Sequence, residues 1–494
     1  MRGRENSVGI IGELEPKEVF RYFEAICQIP HGSGHTDAIS EYCLEFAADH
    51  ALACRQDESG NVIIWKQASP GREQARPMIL QGHLDMVTVK EEGCMVDLER
   101  DPIPVDTDGT YVFANGTSLG GDDGIAVAYI FAILASETIS HPALIAVLTV
   151  DEEVGMLGAG ALDVSDIHAD TMLNIDSEEE GILTAGCAGG ATVYVDFPAE
   201  KETASGFVAH LQFSNLTGGH SGEEIYKERL NANALFGRFL LDAPDDLTIR
   251  FGDLSGGKKD NAIAQNFSAV IVTREQQREE LLSFMEQFKE TIMRESWATD
   301  PDAALLLRPV GIAQAEVIRS AEAQAIRSAL SLLPNGVIRR MPGMTDLVET
   351  SLNLGVIREK KDEEGNTFVR MTYCVRSASD TQKATLIRKI KEMTLMLGGE
   401  SSVAGDYPAW EYREISPLRD AVSAVYKMQY GEMPKVNTIH AGLECGVFAS
   451  KIPALDCISI GPNIPDIHTV REHLDVASVG RTWELIKELL RVWE

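Results

Sequence analysis

Apolar residues in the first 190 positions occur either at helical spacing or in short unbroken runs. Helical spacing is found in residues 16–28 and 36–50, which are predicted to form amphipathic helices. Apolar runs at 78–81, 143–150 and 171–175 are typical of strands buried on both faces. Because helices alternate with buried strands, this part of the chain is predicted to be an α/β domain with a mainly parallel sheet.

The pattern changes near residue 191. Alternating segments rich in β-branched residues are separated by charged amphipathic helices, such as those predicted at 274–296 and 381–397. This pattern favours an α+β domain whose strands expose one face. A strand at 455–461 and a helix capped by Asp475 then restore the α/β pattern. The predicted organisation is a catalytic domain in two parts, 1–190 and 406–494, interrupted by a lid or dimerisation-type α+β domain at 191–405.

Composition narrows the classes of function. The chain has 494 residues and a formal net charge of −32, with a pI near 4.7. A surplus of negative charge repels phosphate backbones and anionic lipids, so neither nucleic acid nor a membrane surface is expected as a partner. The longest apolar run, residues 125–135, is shorter than the roughly 20 residues that a membrane span requires.

Two further features favour a cytoplasmic protein. The first 16 residues contain only a short apolar patch, whereas a secretory signal has a longer apolar region and a small-residue cleavage site. The eight cysteines are scattered without a CxxC pair, so they are expected to be reduced thiols. A metal ion would therefore be held by histidine and carboxylate side chains.

Four polar motifs follow predicted strands or precede the apolar helix predicted at 125–136. They are GHLDMV (82–87), GGDDG (120–124), DEEVG (151–155) and NIDSE (174–178). Each motif alone is also compatible with a solvated turn. Acidic residues that meet at the carboxyl ends of parallel strands would repel one another unless cations lay between them.

The ligand types in these motifs indicate the metal chemistry. Histidine and carboxylate without thiolate suit zinc, manganese or cobalt. Two ions about 3.5–4 Å apart need a bridging carboxylate and about two further ligands each. The candidate ligands are His83, Asp122, Glu153, Asp176 and His468.

Longer motifs spread over most of the chain carry a family resemblance. They are IPHGSGHTD (29–37), GHLDMV (82–87), GTSLGGDDGIAVA (116–128), DEEVGMLGA (151–159), NIDSEEEG (174–181), GCAGG (186–190), GGHSG (218–222) and HAGLECG (440–446). In this order they resemble the di-zinc peptidase superfamily of carnosinases, peptidase T and aminoacylases, and within it the aminoacyl-histidine dipeptidases. The resemblance implies a zinc-peptidase α/β domain with an inserted lid.

The resemblance also implies individual roles. Asp122 matches the bridging carboxylate, while His83, Glu153, Asp176 and His468 match the other metal ligands. Two catalytic residues are implied in addition. They are Asp85, which orients the site, and Glu152, the general base that activates a metal-bound water.

Three other residues match substrate-contacting positions of the family. His220 would stabilise the oxyanion of the tetrahedral intermediate, Arg376 would bind the terminal carboxylate, and Asn261 would lie beside the scissile group. Separately, Glu444 in the GLECG segment is expected to meet the substrate amine. From the residues alone, His220 could equally be a solvated loop residue, Arg376 a strand-end arginine and Asn261 a turn residue.

The resulting prediction is a cytoplasmic zinc metallopeptidase that hydrolyses short unblocked dipeptides, including Xaa-His dipeptides such as carnosine. Cobalt and manganese remain alternatives to zinc. An N-acyl amino acid deacylase, a tripeptidase and a non-catalytic metal-binding protein are the rival functions. Related proteins often pair through the inserted domain, whereas an enlarged lid can replace the partner, so both a homodimer and a monomer remain open.

Overall fold

The structure, a computed structural model, describes residues 9–494 and contains two compact units. The first unit comprises the described residues up to Cys187 together with Tyr412–Thr438 and Leu443–Glu494. The second unit comprises Ala188–Glu411 and Ile439–Gly442. The catalytic and lid roles predicted for the domains stay predictions.

The helices and strands follow the chain in three groups. Up to residue 187 they are α1 (Lys17–Cys27), α2 (Asp37–Asp49), β1 (Ala53–Gln56), β2 (Val62–Lys66), β3 (Met78–His83), β4 (Val105–Thr107), β5 (Tyr111–Ala114), α3 (Gly121–Ala135), β6 (Leu144–Thr149), α4 (Leu157–Ala161), β7 (Thr171–Asn174) and β8 (Ile182–Cys187). Between residues 188 and 411 they are β9 (Gly189–Pro198), β10 (Lys201–Ser214), β11 (Gly219–His220), α5 (Ala232–Asp242), β12 (Arg250–Gly256), β13 (Ala262–Ile263), β14 (Phe267–Thr273), α6 (Arg278–Glu295), β15 (Ala304–Ile318), α7 (Ser320–Leu332), β16 (Gly336–Met341), β17 (Met344–Lys361), β18 (Thr367–Ser377), α8 (Asp380–Met396) and β19 (Glu400–Tyr407). After residue 411 they are α9 (Pro417–Tyr430), β20 (Lys435–Ile439), α10 (Glu444–Lys451), β21 (Asp456–Ser459), β22 (His473–Asp475) and α11 (Val476–Val492).

The first unit is built on an eight-stranded sheet in the order β1-β2-β6-β3-β7-β21-β8-β20. Strands β6, β3, β7 and β21 are parallel, whereas β1, β2 and β8 join their neighbours antiparallel. The predicted α/β class is confirmed, with the parallel arrangement confined to the centre of the sheet. The carboxyl ends of β6, β3 and β7 therefore meet at one edge, where ligands bind in open parallel sheets.

Helix α3 packs on this sheet and is buried from Gly121 to Leu134. Asp122 and Asp123 have non-helical backbone angles, so the regular part of α3 begins close to the predicted residue 125. In the irregular segment before it, the carboxylate of Glu472 accepts hydrogen bonds from the backbone N–H groups of Gly121 and Asp122. On the other side of α3, Phe131 stacks on Phe46 of α2 with ring centroids 4.0 Å apart.

The second unit is a nine-stranded sheet in which β15-β10-β14-β12-β17-β18-β9-β19 are neighbours and β16 pairs with β17. Neighbouring strands such as β10 and β14 or β17 and β18 pair antiparallel, as expected from the alternating segments of the sequence. Phenylalanines of α5 and α6 pack against those of β10 and β14 to form the core. This confirms the α+β pattern predicted after residue 191.

Other sequence expectations concern segments outside the sheets. Within residues 9–494 no helix has both the length and the apolar character needed to cross a bilayer. All eight cysteines are unpaired, as predicted. The amino-terminal segment in which no secretory signal is expected lies partly in residues 1–8, outside the described residues.

We predict that Phe131→Ala lowers the free energy of unfolding of the first unit by about 3–5 kcal/mol, because the ring is fully buried and its removal leaves a cavity. Urea unfolding followed by tryptophan fluorescence measures the change. Met428→Ala is the control, since Met428 is 67% exposed and should change the free energy by less than about 0.5 kcal/mol. Equal effects of the two substitutions would contradict the role of the ring in the core.

Candidate metal centre

The five residues predicted as metal ligands all lie in the first unit, at or near the edge where the parallel strands end. His83 is the last residue of β3, Asp122 lies in the first turn of α3, Glu153 follows β6, Asp176 follows β7, and His468 lies between β21 and β22. Strand ends and the start of α3 thus place His83, Asp122 and Asp176, whereas His468 is placed by the loop between β21 and β22.

Asp122 lies between the two histidines. Its Oδ1 is 3.1 Å from Nε2 of His83, and its Oδ2 is 3.1 Å from Nε2 of His468. Each oxygen of one carboxylate therefore faces a different imidazole. This is the arrangement that a carboxylate bridging two ions needs.

Each histidine also faces a second carboxylate. Nε2 of His83 is 3.7 Å from Oδ1 of Asp176, and Nε2 of His468 is 2.8 Å from Oε1 of Glu153. Ligand atoms of His83, Asp122 and Glu153 lie within 4.8 Å of one another. The structure thus brings the five side chains together as two overlapping groups that share Asp122, and this donor set of imidazole and carboxylate fits divalent ions such as zinc.

Burial and neighbouring charges shift the pKa values of the side chains in this cluster. Burial opposes the charged form of His468, but hydrogen bonds to Asp122 and Glu153 outweigh it and raise its pKa to about 11. Burial likewise opposes charge on His83, yet hydrogen bonds to Asp122 and Asp176 raise its pKa well above the usual value. Burial raises the pKa of Asp176 to about 6. The neighbouring carboxylates therefore favour the protonated forms of both imidazoles.

The backbone of His468 has a φ of 59°. A residue with a Cβ atom pays about 1–3 kcal/mol in this left-handed region, and such conformations collect at functional sites. The surrounding loop therefore holds the ring toward Asp122 and Glu153 at the expense of local backbone stability. No spacing or composition of the sequence indicates this conformation.

Asp85 is fully enclosed next to the cluster. Its Oδ1 accepts the backbone N–H of Glu152 at 2.9 Å, and its Oδ2 accepts that of Glu153 at 3.3 Å and the hydroxyl of Ser33 at 2.8 Å. Nδ1 of His83 lies 2.9 Å from the backbone carbonyl of Asp85 and 3.6 Å from its carboxylate. The carboxylate therefore orients the loop that carries the two glutamates, and the backbone carbonyl orients His83.

Glu152 differs from its neighbour Glu153. Burial raises the pKa of Glu152 well above its usual value, and although His83 opposes the shift, the negative charges of Asp176 and Glu444 add to it. Glu153 instead pairs with His468. Two adjacent carboxylates thus occupy different environments, which is the condition for giving them different chemical roles.

Asp123 is a buried neighbour of the cluster to which the sequence analysis gave no role. Its Oδ2 accepts the backbone N–H of His83 at 3.0 Å. A side chain on Gly82 would place a Cβ atom 2.7 Å from the same oxygen, so residue 82 must be glycine for Asp123 to keep this position. The pair of aspartates in GGDDG is visible in the sequence, but only the fold shows which one faces both histidines.

Glu472 is a second residue near the cluster for which the sequence predicted no role. Its two carboxylate oxygens accept the backbone N–H groups of four consecutive residues, at distances from 2.8 to 3.4 Å. These are residues 119–122, which lead into Asp122. Since Glu472 is four positions after His468, it connects the loop of one histidine to the backbone of the bridging carboxylate.

The second unit contains His220, Arg376 and Asn261, the three residues that match substrate-contacting positions of the family. A Cβ atom on Gly222 would lie 3.1 Å from the ring of His220, 3.2 Å from Nε of Arg376 and 2.3 Å from the carbonyl oxygen of His440, so these three residues surround it. Asn261 is exposed, and its carbonyl accepts the N–H of Ser221. The structure therefore groups His220 with Arg376 and places Asn261 on the neighbouring strand connection.

His440 is an additional member of this second group that received no role from the sequence, although it opens the HAGLECG motif. Burial and the charge of Arg376 lower its pKa to about 3, and the same two causes lower the pKa of His220. Nε of Arg376, Nδ1 of His440 and Oγ of Ser221 are buried without a hydrogen-bond partner among the described residues. Unsatisfied polar atoms gathered in this way are suited to binding a polar group.

Comparison with known proteins connects this geometry to a family. Residues 79–492 match the model of peptidase family M20/M25/M40. The chain belongs to this peptidase family. It is 36% identical to the cytosol non-specific dipeptidase of Escherichia coli over 483 residues, which cover 97% of the chain and 98% of that relative.

One solved structure agrees with this assignment to the M20/M25/M40 family, and a second shares the fold. The aminoacylhistidine dipeptidase of Vibrio alginolyticus superposes with a TM-score of 0.91 at 34% identity, covering 99% of both chains. The aminopeptidase PepT of Bacillus cereus has a TM-score of 0.55 at 15% identity over 97% of this chain and 98% of that one, which shows a likeness of fold alone. These findings confirm the predicted family, fold class and metallopeptidase assignment, and they support the predicted dipeptidase function.

With zinc as the probe ion and His83 and His468 as the predicted ligands, we predict that binding of two ions at pH 7 releases about two protons, because an imidazole must lose its proton to bind a metal ion. Calorimetric titration in two buffers with different ionisation enthalpies measures the release. His468→Gln should lower it by about one proton. His168→Gln, at an exposed position, is the control, and binding without proton release would contradict the assignment.

Proposed function

We propose that this M20/M25/M40 peptidase is a cytoplasmic two-metal dipeptidase that hydrolyses unblocked dipeptides, including Xaa-His dipeptides such as carnosine. One observation carries the proposal: the two oxygens of Asp122 each face a different imidazole, and each imidazole faces a second carboxylate. The cytosolic dipeptidase of Escherichia coli and the aminoacylhistidine dipeptidase of Vibrio alginolyticus support the substrate class and the compartment.

The proposed ligands are His83 and Asp176 for one ion, His468 and Glu153 for the other, and Asp122 for both. Zinc is the proposed metal because imidazole and carboxylate ligands without thiolate match its preferences. When bound, a pair of divalent ions acidifies water and polarises a carbonyl group.

Glu152 is the proposed general base. It takes a proton from the attacking water as the new carbon–oxygen bond forms at the scissile carbonyl, and it gives that proton to the amine as the carbon–nitrogen bond breaks. A carboxylate whose pKa is raised by burial is better suited to both transfers than a solvated one. Asp85 holds the backbone of Glu152 and thereby sets the direction of its side chain.

The group around Gly222 in the second unit is proposed to bind the substrate. Nδ1 of His220 accepts the backbone N–H of Glu223 at 3.2 Å, so a neutral imidazole carries its proton on Nε2 and can donate it to an oxyanion. Arg376 has one guanidinium nitrogen bonded to Tyr407 and its Nε free of a partner among the described residues, which suits a terminal carboxylate. Asn261 is proposed to lie beside the scissile group.

We predict that Glu152→Gln lowers kcat on carnosine and other dipeptides by about 10²–10⁴-fold while zinc content stays unchanged, because the variant cannot accept a proton. Rates are measured on dipeptides, tripeptides and N-acyl amino acids, with and without a chelator. Glu137→Gln, at an exposed site, is the matched control. Undiminished turnover by the Glu152 variant would show that Glu152 is not the general base. Faster cleavage of N-acyl amino acids than of dipeptides would show that the enzyme is a deacylase and not a dipeptidase.

We predict that Arg376→Ala raises KM for dipeptides by about 10–100-fold, which corresponds to the loss of hydrogen bonds to a charged group worth roughly 1.5–3 kcal/mol. Dipeptide amides, which lack the terminal carboxylate, should be cleaved equally by the parent and the variant. Steady-state kinetics on each acid and its amide provide the comparison. Arg388→Ala, at an exposed position of α8, is the control, and an equal loss on acids and amides would contradict carboxylate binding.

A further inference from the structure

Glu444 is the first residue of α10, and its side chain is fully buried in the first unit. The proposed reaction does not use it. Its position in the GLECG segment predicts a contact with the substrate amine, but the Glu444 side chain has no exposed surface for such a contact. Its partners instead lie on the central strands of the sheet.

One oxygen of Glu444 binds two strands at once. Its Oε2 accepts hydrogen bonds from Nε2 of Gln81 at 2.5 Å and from Oγ1 of Thr149 at 2.6 Å. Gln81 lies in β3, two residues before His83, and Thr149 ends β6, three residues before Glu152. The carboxylate thus connects the strand that carries a metal ligand to the strand that carries the general base.

The same network reaches a third strand. Oε1 of Gln81 accepts a hydrogen bond from Nδ2 of Asn174 at 2.6 Å. Asn174 ends β7, two residues before Asp176. Since β6, β3 and β7 are adjacent and parallel, one buried network spans the three strand ends from which Glu152, His83 and Asp176 emerge.

This placement is energetically expensive. Burial raises the pKa of Glu444 to about 7, and its second oxygen, Oε1, has no hydrogen-bond partner among the described residues. A leucine or methionine of similar size would avoid the cost of enclosing a carboxylate. The acid therefore serves something other than packing, and the three strands that it joins indicate what that is.

We propose that Glu444 is a positioning residue that holds the ends of β6, β3 and β7 in register, so that Glu152, His83 and Asp176 converge. The roles of those three residues rest on the proposed function, whereas the network itself does not. Because one oxygen accepts both donors, removal of the acceptor leaves Nε2 of Gln81 with only its longer bond of 3.3 Å to Oγ1 of Thr149, and this weakens the hold of Gln81 on Asn174. The ligand-bearing strand ends then lose a shared anchor.

The test uses the full chain and zinc as the probe. Glu444→Leu, which removes the acceptor, is expected to weaken zinc binding by about 10–100-fold in competition with a chelator, as is typical when partners of metal ligands are lost. It should lower kcat at least tenfold and change KM less than about threefold. Glu444→Gln keeps an acceptor oxygen of the same reach and should restore zinc affinity and kcat to within about threefold of the parent.

Ser40→Ala is the matched control, because Ser40 is a fully buried residue of the first unit whose hydroxyl bonds to Gly60 away from the network. It should lower thermal stability without changing zinc affinity. If Glu444→Leu behaves like this control, or if Glu444→Gln is as damaging as Glu444→Leu, the proposal is wrong.

Two further variants address the same network if Glu444→Leu does not fold. Thr149→Val and Gln81→Leu each remove one donor and should weaken zinc binding, with a double variant weaker by less than the product of the two effects. Independent, multiplicative effects would overturn the shared-anchor role. Failure of the parent chain to cleave any dipeptide would count against the proposed function alone, since zinc affinity is measured without turnover.

Discussion

Repulsion between carboxylates at one edge of a parallel sheet shapes the surroundings of the candidate metal centre. Four acids, Asp122, Glu152, Glu153 and Asp176, lie at this edge, where Asp122 and Asp176 are buried and the two glutamates are partly buried. In such surroundings a nearby cation favours the ionised form of a carboxylate. The imidazoles of His83 and His468 face these acids, and the carboxylates raise the pKa of both rings.

The acids that surround the candidate metal centre are held by hydrogen bonds from backbone N–H groups and neutral side chains. Glu472 is held by four backbone donors, and Asp85 by the donors of residues 152 and 153 together with a hydroxyl. Glu444 is held by an amide and a hydroxyl. These donors orient each acid without introducing lysine or arginine, whose charge would compete with divalent ions for the same carboxylates.

The second unit carries a group of basic side chains, in contrast to the carboxylates of the first unit. The guanidinium of Arg376 and the imidazoles of His220 and His440 lie around Gly222. Because the pKa values of the two imidazoles are lowered, Arg376 is the charged member of the group. A short unblocked peptide offers a carbonyl to be hydrolysed and a carboxylate to be bound. The two units thus carry separate parts of the chemistry that the proposed reaction requires, each built from its own sheet.

Local patterns of the sequence determined the helices, the buried strands and the motifs that supply the ligands, because hydrophobic periodicity and strand-end polar residues are properties of short segments. The family resemblance already selects Asp122 as the bridging carboxylate, and the tertiary structure adds that its two oxygens face different histidines while Asp123 accepts the backbone N–H of His83. The tertiary structure also decided the roles of Glu444 and Glu472, whose partners are about 350 residues away in the chain. Contacts of that separation leave no periodic or local signal, and they exist only once the sheet has brought its strand ends together.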